Sequence, residues 1–170
     1  MASGSGSTTQ NAEVERKEIK PEKLQIVWSN DSRFWRMPPA DNTESNLPAE
    51  LLQVRWLEIK GSTDIRTLKP GKKYKIGFRV SLTSDAFGWG ADCPILIYAN
   101  IGNGWNGRRV ILDPTKRNEE LDIPKNLIID VPSNPSSDGK LQFQLYGIWG
   151  GWKGGLKIYH AFITEVEVKQ

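Results

Sequence analysis

Residue types that build catalytic centres, metal sites or covalent braces are scarce in this chain. Its one cysteine, Cys93, excludes an intrachain disulfide framework and a zinc site made of several cysteines. Its one histidine, His160, is in phase with the core-facing residues of the last predicted strand and has no HExxH, nucleophile-elbow or cysteine–histidine motif around it. No calcium-loop spacing and no run near 18 apolar residues occurs. We therefore expect no metal, no cofactor and no membrane span.

With one cysteine and one histidine, the chain could still be an enzyme that uses carboxylates for catalysis. A pair of carboxylates hydrolyses glycosides without any histidine. The acidic residues of this chain are scattered and lie mostly in polar segments, and nothing in their spacing points to a pair. We expect no enzymatic activity, and a glycosidase is the least favoured alternative.

The charge is mild, and the N-terminal segment differs from the rest of the chain. The formal net charge of the 170 residues is +3, whereas nucleic-acid-binding domains usually show a denser basic stripe. Residues 1–23 are rich in Ser and Gly and then mixed in charge, which predicts a disordered tail ahead of a single domain at 24–170. No apolar stretch follows Met1, so we expect no signal peptide and a cytoplasmic location.

Short alternating segments separated by Gly, Pro and Asn dominate the domain. The clearest is Tyr74–Leu82, where apolar side chains alternate with Lys, Arg and small residues. Within Leu51–Lys60 the alternation changes phase, which indicates a bulge or a strand buried on both faces, and Leu47–Val54 is the one place where a helical turn fits. The other expected strands are Leu24–Trp28, Ile95–Ala99, Arg109–Leu112, Leu127–Val131, Leu141–Tyr146 and Gly155–Val168. About eight such strands predict an all-β, antiparallel sandwich.

The positions of the tryptophans are the strongest functional signal. Trp105 lies in a Gly/Asn-rich segment, and Trp149 and Trp152 lie in the glycine-rich Gly147–Gly155. Such rings are either aromatic covers at a sheet edge or stacking platforms for a flat ligand such as a sugar or a base. Trp35, in a charged segment before two prolines, is expected to be exposed, and Trp56 is expected in the core. Trp28 ends an apolar strand, and its pattern fits a core or an exposed position equally.

Three ordered blocks of this sequence resemble one known family. Residues 28–35, WSNDSRFW, resemble the opening W-x6-W block of the phloem protein 2 family, also called Nictaba-type lectins. Residues 49–61, AELLQVRWLEIKG, resemble its AEL-x-x-V-x-W-L-x-I-x-G block, and residues 152–155, WKGG, resemble its W-K-[SG]-G segment. The resemblance runs from about Leu24 to Val168.

This resemblance implies a jelly-roll β-sandwich that binds N-acetylglucosamine oligomers and N-glycan cores. The family's proposed sugar-contacting tryptophans correspond to Trp28 and Trp35. Family members lack signal peptides, occur in the cytosol, nucleus or phloem sap, and include homodimers; short cucurbit members accompany RNA and proteins in the phloem. The chain departs from the family in having no compact Lys-rich nuclear signal, only Lys116-Arg117.

The leading hypothesis is a chitin-binding lectin of phloem defence or transport, which binds GlcNAc oligosaccharides and glycoproteins and acts as a homodimer. Its indoles stack on sugar faces while polar side chains hydrogen-bond hydroxyl and acetamide groups. The predicted sugar-binding residues are Trp28, Asn30, Arg33, Trp35, Asn100, Asn103, Trp105, Trp149, Trp152 and Lys153. The alternative is a single-stranded RNA-binding or ribonucleoprotein-binding phloem protein that uses the same rings for base stacking. A structural filament protein would need interchain disulfides, and one cysteine cannot build a network of them.

Overall fold

The computed structural model describes residues 15–39 and 46–167, and it is built from two antiparallel sheets. Twelve strands occur there, with 3-10 turns at Pro21–Lys23 and Ile65–Thr67 and no α-helix among the described residues. The strands are β1 (Arg16–Ile19), β2 (Gln25–Ile26), β3 (Trp35–Arg36), β4 (Ala49–Leu51), β5 (Leu57–Asp64), β6 (Lys73–Phe87), β7 (Ile95–Ile101), β8 (Asn106–Val110), β9 (Leu121–Ile123), β10 (Ile128–Asp130), β11 (Lys140–Gly147) and β12 (Gly154–Glu165).

The strand order confirms the predicted all-β sandwich of jelly-roll type. The seven-stranded sheet has the order β10-β6-β12-β4-β3, with β1 added to β12 and β9 added to β6, and the five-stranded sheet has the order β2-β5-β11-β7-β8. With β9 and β10 counted as one broken strand, β4 to β12 follow the order of a double Greek key: each strand changes sheet from the one before it, except that β8 pairs with β7 in the five-stranded sheet. No helix in the described part of the chain is long and apolar enough to cross a membrane.

The core lies between the two sheets, and the alternation of the long strands builds it. In β6 the side chains of Ile76, Phe78 and Val80 are completely buried, as the sequence pattern predicts. Phe78 meets Phe143 of β11 edge to face, with ring centroids 5.8 Å apart. Among the described residues, thirty-three buried ones form this cluster, a core large enough to be stable without a disulfide.

The phase change in Leu51–Lys60 is neither a bulge nor a doubly buried strand. The segment holds two strands that belong to different sheets: β4 pairs with β12, and β5 pairs with β11. Residues 52–56 cross from one sheet to the other, so the alternation restarts at Leu57. The expected helical turn at Leu47–Val54 is also wrong, because β4 occupies that segment.

Strand β1 lies inside the segment that the sequence predicts to be a disordered tail. It pairs with β12, from Arg16 opposite Thr164 to Ile19 opposite Ala161. A register shift between Ile158 and His160 turns Phe162 to the outer face of β12. Arg16 covers that ring at 4.2 Å from its centroid, and this contact gives the charged strand something apolar to bury. The remainder of the expected tail, residues 1–14, lies outside the described residues.

Candidate functional site

Four connections that cross between the sheets meet at one end of the sandwich. They join β2 to β3, β4 to β5, β6 to β7 and β11 to β12, and they comprise residues 27–34, 52–56, 88–94 and 148–153. We call this end the aromatic end. The strand registers place the four connections together, since Gly147 pairs with Leu57 and Gly154 with Phe87. Residues that are far apart in sequence therefore share one surface.

Backbone and side-chain hydrogen bonds tie segment 52–56 to segment 148–153. Val54 and Lys153 exchange two backbone hydrogen bonds of 2.9 Å. The Lys153 side chain is completely buried, and its ammonium group donates to the Arg55 carbonyl at 2.6 Å. Burial lowers the pKa of Lys153 below its usual range. Lys153 therefore fixes the loops that carry the aromatic residues. Its complete burial does not fit the prediction that it hydrogen-bonds a sugar directly.

Close backbone packing fixes the remaining connection at this end. Trp89 is buried, and its indole N–H donates to the Gly154 carbonyl at 2.8 Å. A Cβ at Gly88 would overlap the Trp152 carbonyl, and a Cβ at Gly154 would overlap the Leu52 carbonyl. These two positions therefore require glycine, because any side chain would separate the loops. The loops of the aromatic end are therefore fixed to one another by contacts within the protein.

Four tryptophans on these loops present large parts of their rings to solvent. The exposed fraction is 52% for Trp28, 48% for Trp56, 47% for Trp149 and 51% for Trp152. The Trp56 indole N–H donates to the Glu58 carboxylate at 2.9 Å, which orients that ring. Exposed aromatic rings held on fixed loops are stacking surfaces for a flat ligand.

The loop that carries Trp28 is held in an unusual conformation. Trp28 has a φ of +71°, a region that costs a bulky residue about 1–3 kcal/mol and that persists where the surroundings enforce it. Its ring packs edge to face on Phe34, with centroids 5.9 Å apart. Arg33 donates to both carboxylate oxygens of Asp31, at 2.7–3.2 Å, and lowers the pKa of that carboxyl to about 2. Asn30 is exposed on the same loop.

A shallow open depression of about 440 Å³ lies beside Trp149. Pro94 and Leu96 supply apolar surface, and Asp92 and Arg109 supply a carboxylate and a guanidinium group. An indole plate bordered by groups that accept and donate hydrogen bonds is the arrangement that a ring with apolar faces and polar edges requires. Asp92 and Arg109 are candidate site residues that the sequence pattern did not indicate.

The predicted exposure of Trp35 is wrong. Trp35 is in β3, paired with Leu51, and only 2% of its surface is exposed. The next residue, Arg36, points outward and pairs with Glu50, so the alternation of the strand turns the indole into the core. The Trp35 indole N–H has no hydrogen-bond partner among the described residues. Of the two tryptophans in the W-x6-W block, only Trp28 therefore presents a face to solvent.

The predicted core position of Trp56 is also wrong, since the ring is exposed. Trp56 follows the end of β4 and lies in the connection that crosses to the other sheet. The phase change at this point was the signal that the strand had ended. For Trp28 the sequence gives no comparable sign of where the strand ends. In the structure β2 stops at Ile26, and Trp28 lies in the turn that follows.

Three other predicted site residues lie at the opposite end of the sandwich. Trp105 is 44% exposed in the connection from β7 to β8, and Asn103 is exposed beside it. Asn100 is buried, and its amide group donates to the Gly102 carbonyl at 2.9 Å, so it supports the turn. Because Leu141 pairs with Ile101 and the aromatic end adjoins Gly147, the length of β11 separates Trp105 from the other exposed tryptophans.

His160 lies away from both ends, on the outer face of β12. The register shift before it reverses the predicted phase, and its Nε2 lies 3.2 Å from Arg16 Nη2 and 3.3 Å from Glu18 Oε2. Burial lowers the pKa of His160. Within 15–39 and 46–167, no three His, Cys, Asp or Glu side chains form a group that fits a metal ion.

Comparison with known proteins relates the whole domain to one plant family. The sequence model described as Phloem protein 2 matches residues 17–164. PHLOEM PROTEIN 2-LIKE A9 of Arabidopsis thaliana is 38% identical over 161 residues, with 86% of each chain covered. A lectin of Coccinia grandis is 27% identical over 138 residues, which cover 79% of this chain and 85% of the lectin.

Similarity to solved structures is more distant. The chain aligns with the GH26-CBM35 β-(1,4)-mannanase of Podospora anserina at a TM-score of 0.49 and 9% identity, over 91% of this chain and 28% of that one. It aligns with TmCBM61 in complex with β-1,4-galactotriose at a TM-score of 0.38 and 13% identity, over 91% and 90% of the two chains.

Proposed function

This chain belongs to the phloem protein 2 family, and from that premise we propose that it is a non-enzymatic lectin whose aromatic end binds carbohydrate. The observation that carries the proposal is the group of four exposed tryptophans on loops that are fixed to one another. Relatives of the chain that bear the name lectin support it. We propose no catalytic step, since sugar binding needs only complementary surfaces.

The depression beside Trp149 has the chemistry that a pyranose ring requires. The apolar C–H face of a sugar lies against an indole, and its hydroxyl groups hydrogen-bond at the ring edge. Asp92 accepts such hydrogen bonds and Arg109 donates them. Binding in a preformed site spends little free energy on ordering the protein, so a shallow surface suffices for moderate affinity.

We propose oligomers of N-acetylglucosamine, including the chitobiose core of N-glycans, as the preferred ligands. The acetamide group adds an apolar methyl group for an indole face together with an N–H donor and a C=O acceptor for the polar groups. Because Trp28, Trp56, Trp149 and Trp152 lie on three different connections, they suit a ligand of several linked rings better than a monosaccharide.

The alternative ligand, single-stranded RNA, fits the charges of this end less well. RNA binding needs cationic groups that follow the phosphate backbone. At the aromatic end Arg33 is paired with Asp31 and Lys153 is buried under a carbonyl, which leaves Arg55 and Arg109 as separate exposed cations rather than a continuous track. Binding that is independent of salt would therefore favour sugar as the ligand, since phosphate contacts lose affinity steeply as salt rises.

The deciding experiment is a titration of the full chain with chitotriose, followed by tryptophan fluorescence and by calorimetry at low and high salt. We expect saturable binding that is independent of salt. Trp149→Ala should weaken it about tenfold or more, because loss of a stacked ring typically costs more than 1.4 kcal/mol. Trp105→Ala, at the opposite end, is the matched control and should bind like the parent chain.

A second variant separates loss of the ring from loss of the fold. Trp28→Gly removes an indole at a position where glycine adopts the observed φ without cost, so its stability should be retained or raised by up to about 1 kcal/mol. Weaker chitotriose binding with unchanged stability supports the site. No sugar response, combined with salt-sensitive quenching by single-stranded RNA, would replace this proposal with the RNA-binding alternative.

We propose that the lectin acts in the phloem, in defence or transport, and that it does so as a homodimer. Two copies of a shallow site bind a multivalent glycoprotein more tightly than one copy without any new contact. Sedimentation equilibrium with and without chitotriose measures this directly, and a monomer at all concentrations would remove avidity from the mechanism.

A further inference from the structure

A second concave surface lies along the open side of the sandwich. It is a groove of about 430 Å³ between β8, the last strand of the five-stranded sheet, and β9, which lies outside β6 in the other sheet. The connection from β8 to β9 closes one end of it. The Asn118 N–H donates to the Leu82 carbonyl at 2.7 Å, and Arg117 donates to the Ser84 carbonyl at 2.6 Å.

The floor of this groove is apolar. Val80, Leu82, Leu112 and Ile123 are buried beneath it, and the β8–β9 side adds partly exposed aliphatic side chains at Val110, Ile111 and Leu121. Ile111 is 45% exposed although it is a large aliphatic residue. An aliphatic floor without aromatic rings matches a hydrocarbon chain, since a sugar needs hydrogen-bond partners along its edges.

The rim of the groove is strongly cationic. Four of the residues that line it are basic, namely Arg108, Arg109, Lys116 and Lys125. The one lining carboxylate, Asp113, already accepts hydrogen bonds from the Thr115 N–H at 2.9 Å and the Thr115 hydroxyl at 2.6 Å. Arg109 and Lys125 make no side-chain hydrogen bond or ion pair with the part of the chain that the structure describes. Cationic groups of this kind attract an anion to the edge of the floor.

We propose that this groove binds a single-chain hydrocarbon carboxylate. The aliphatic chain lies on the floor between the two sheets, and the carboxylate lies at the rim, where Lys116 and Lys125 attract it. The volume lies in the range of small-molecule sites and accommodates a chain of about ten carbons. This groove and the depression beside Trp149 share one lining residue, Arg109, and the carboxylate contacts proposed here use Lys116 and Lys125 instead.

The test is calorimetric titration of the full chain with hexanoate, octanoate and decanoate, and with decanol as the uncharged match. Affinity should rise with chain length by up to about fourfold per CH₂ group, as expected when each group is buried. Decanoate should bind at least about fivefold more tightly than decanol, because the rim favours the anion. Binding that is equal for decanol and decanoate, or that does not change with chain length, would overturn the proposal.

A pair of double variants locates the site. K116A/K125A should weaken decanoate binding by about five- to tenfold, and K72A/K73A, which removes two lysines far from the groove, should not. Chitotriose titration of both variants reports whether the fold and the aromatic end are intact. Equal decanoate binding by the two double variants would place the ligand elsewhere and end the proposal, whatever the outcome for sugar.

Discussion

The two ends of the sandwich both carry glycine-rich connections with an exposed tryptophan, yet they are built differently. At the aromatic end, Gly88 and Gly154 touch the backbone of neighbouring loops so closely that a Cβ has no room. At the opposite end, Gly102 and Gly104 have no atom of the described chain within 4 Å of an added Cβ, and both adopt a positive φ for a tight turn. Gly88 also has a φ of +87°, so glycine serves both close packing and turn geometry at the aromatic end, whereas Gly102 and Gly104 serve turn geometry alone.

This difference separates a preformed surface from a single exposed ring. Trp149 and Trp152 lie on a connection that is fixed by the Val54–Lys153 bridge and the buried Lys153 ammonium group. Trp105 lies on a turn supported by one amide hydrogen bond from Asn100. Exposure alone therefore does not mark a binding site; neighbouring rings held in fixed positions do, because little ordering cost then opposes binding.

The largest effect should come from filling the glycine sites at the two ends. Gly154→Ala should lower the free energy of unfolding by about 3 kcal/mol, since the methyl group overlaps the Leu52 carbonyl and the Phe87 ring. Gly104→Ala should cost about 1 kcal/mol, from its φ of +83° alone. Urea denaturation of both variants measures the difference. Equal losses would mean that the loops of the aromatic end are no more tightly packed than the opposite turn.

A smaller effect on stability, but a larger one on motion, is expected from Lys153→Met. The change removes a buried charge and also the donor to the Arg55 carbonyl, so the free energy of unfolding should change by only about 1 kcal/mol. Amide hydrogen exchange in residues 52–56 should accelerate, and that in 102–105 should not. Lys72→Met, an exposed lysine, is the control, and unchanged exchange in 52–56 would show that backbone pairing alone holds the loops.

The smallest effect is a difference in acid response between the ends. The pKa of Asp31 is lowered from 3.8 to about 2 by Arg33, so the stabilisation from this pair is complete above pH 3.8 and is lost as the pH falls through 2. The indole N–H resonance of Trp28 should stay fixed from pH 7 to 4 and move below that, while that of Trp105 does not. Asp31→Asn should abolish the movement; a shift of Trp28 already near pH 5 would contradict the assignment.

Much of the fold followed from local pattern, and less of the site did. The alternation at Tyr74–Leu82 predicted the centre of β6, because inward and outward side chains differ in polarity there. The alternation of its neighbours predicts a core position for Trp56, which is wrong because the chain changes sheets at 52–56 and leaves the ring exposed. The charged neighbours of Trp35 predict an exposed ring, but pairing of β3 with β4 turns it inward.

Asp92 and Arg109 had no signal in the sequence at all. They lie 17 residues apart in the sequence, one in a connection and the other in an edge strand, and only the register of β7 on β8, which pairs Leu96 with Arg109, places them around Trp149. Lys153 had a misleading signal, since lysine is rarely buried completely. Its carbonyl partner belongs to a loop about 100 residues earlier in the chain.

By itself the sequence determined the class of fold and the kind of surface: short alternating strands, glycine-rich turns and seven tryptophans specify a β-sandwich with exposed aromatic rings. The tertiary structure alone decided which indoles reach solvent and which polar groups lie beside them. The physical reason is that side-chain direction in a strand depends on where pairing begins, breaks and shifts register, and those events are set by partners far away in the chain.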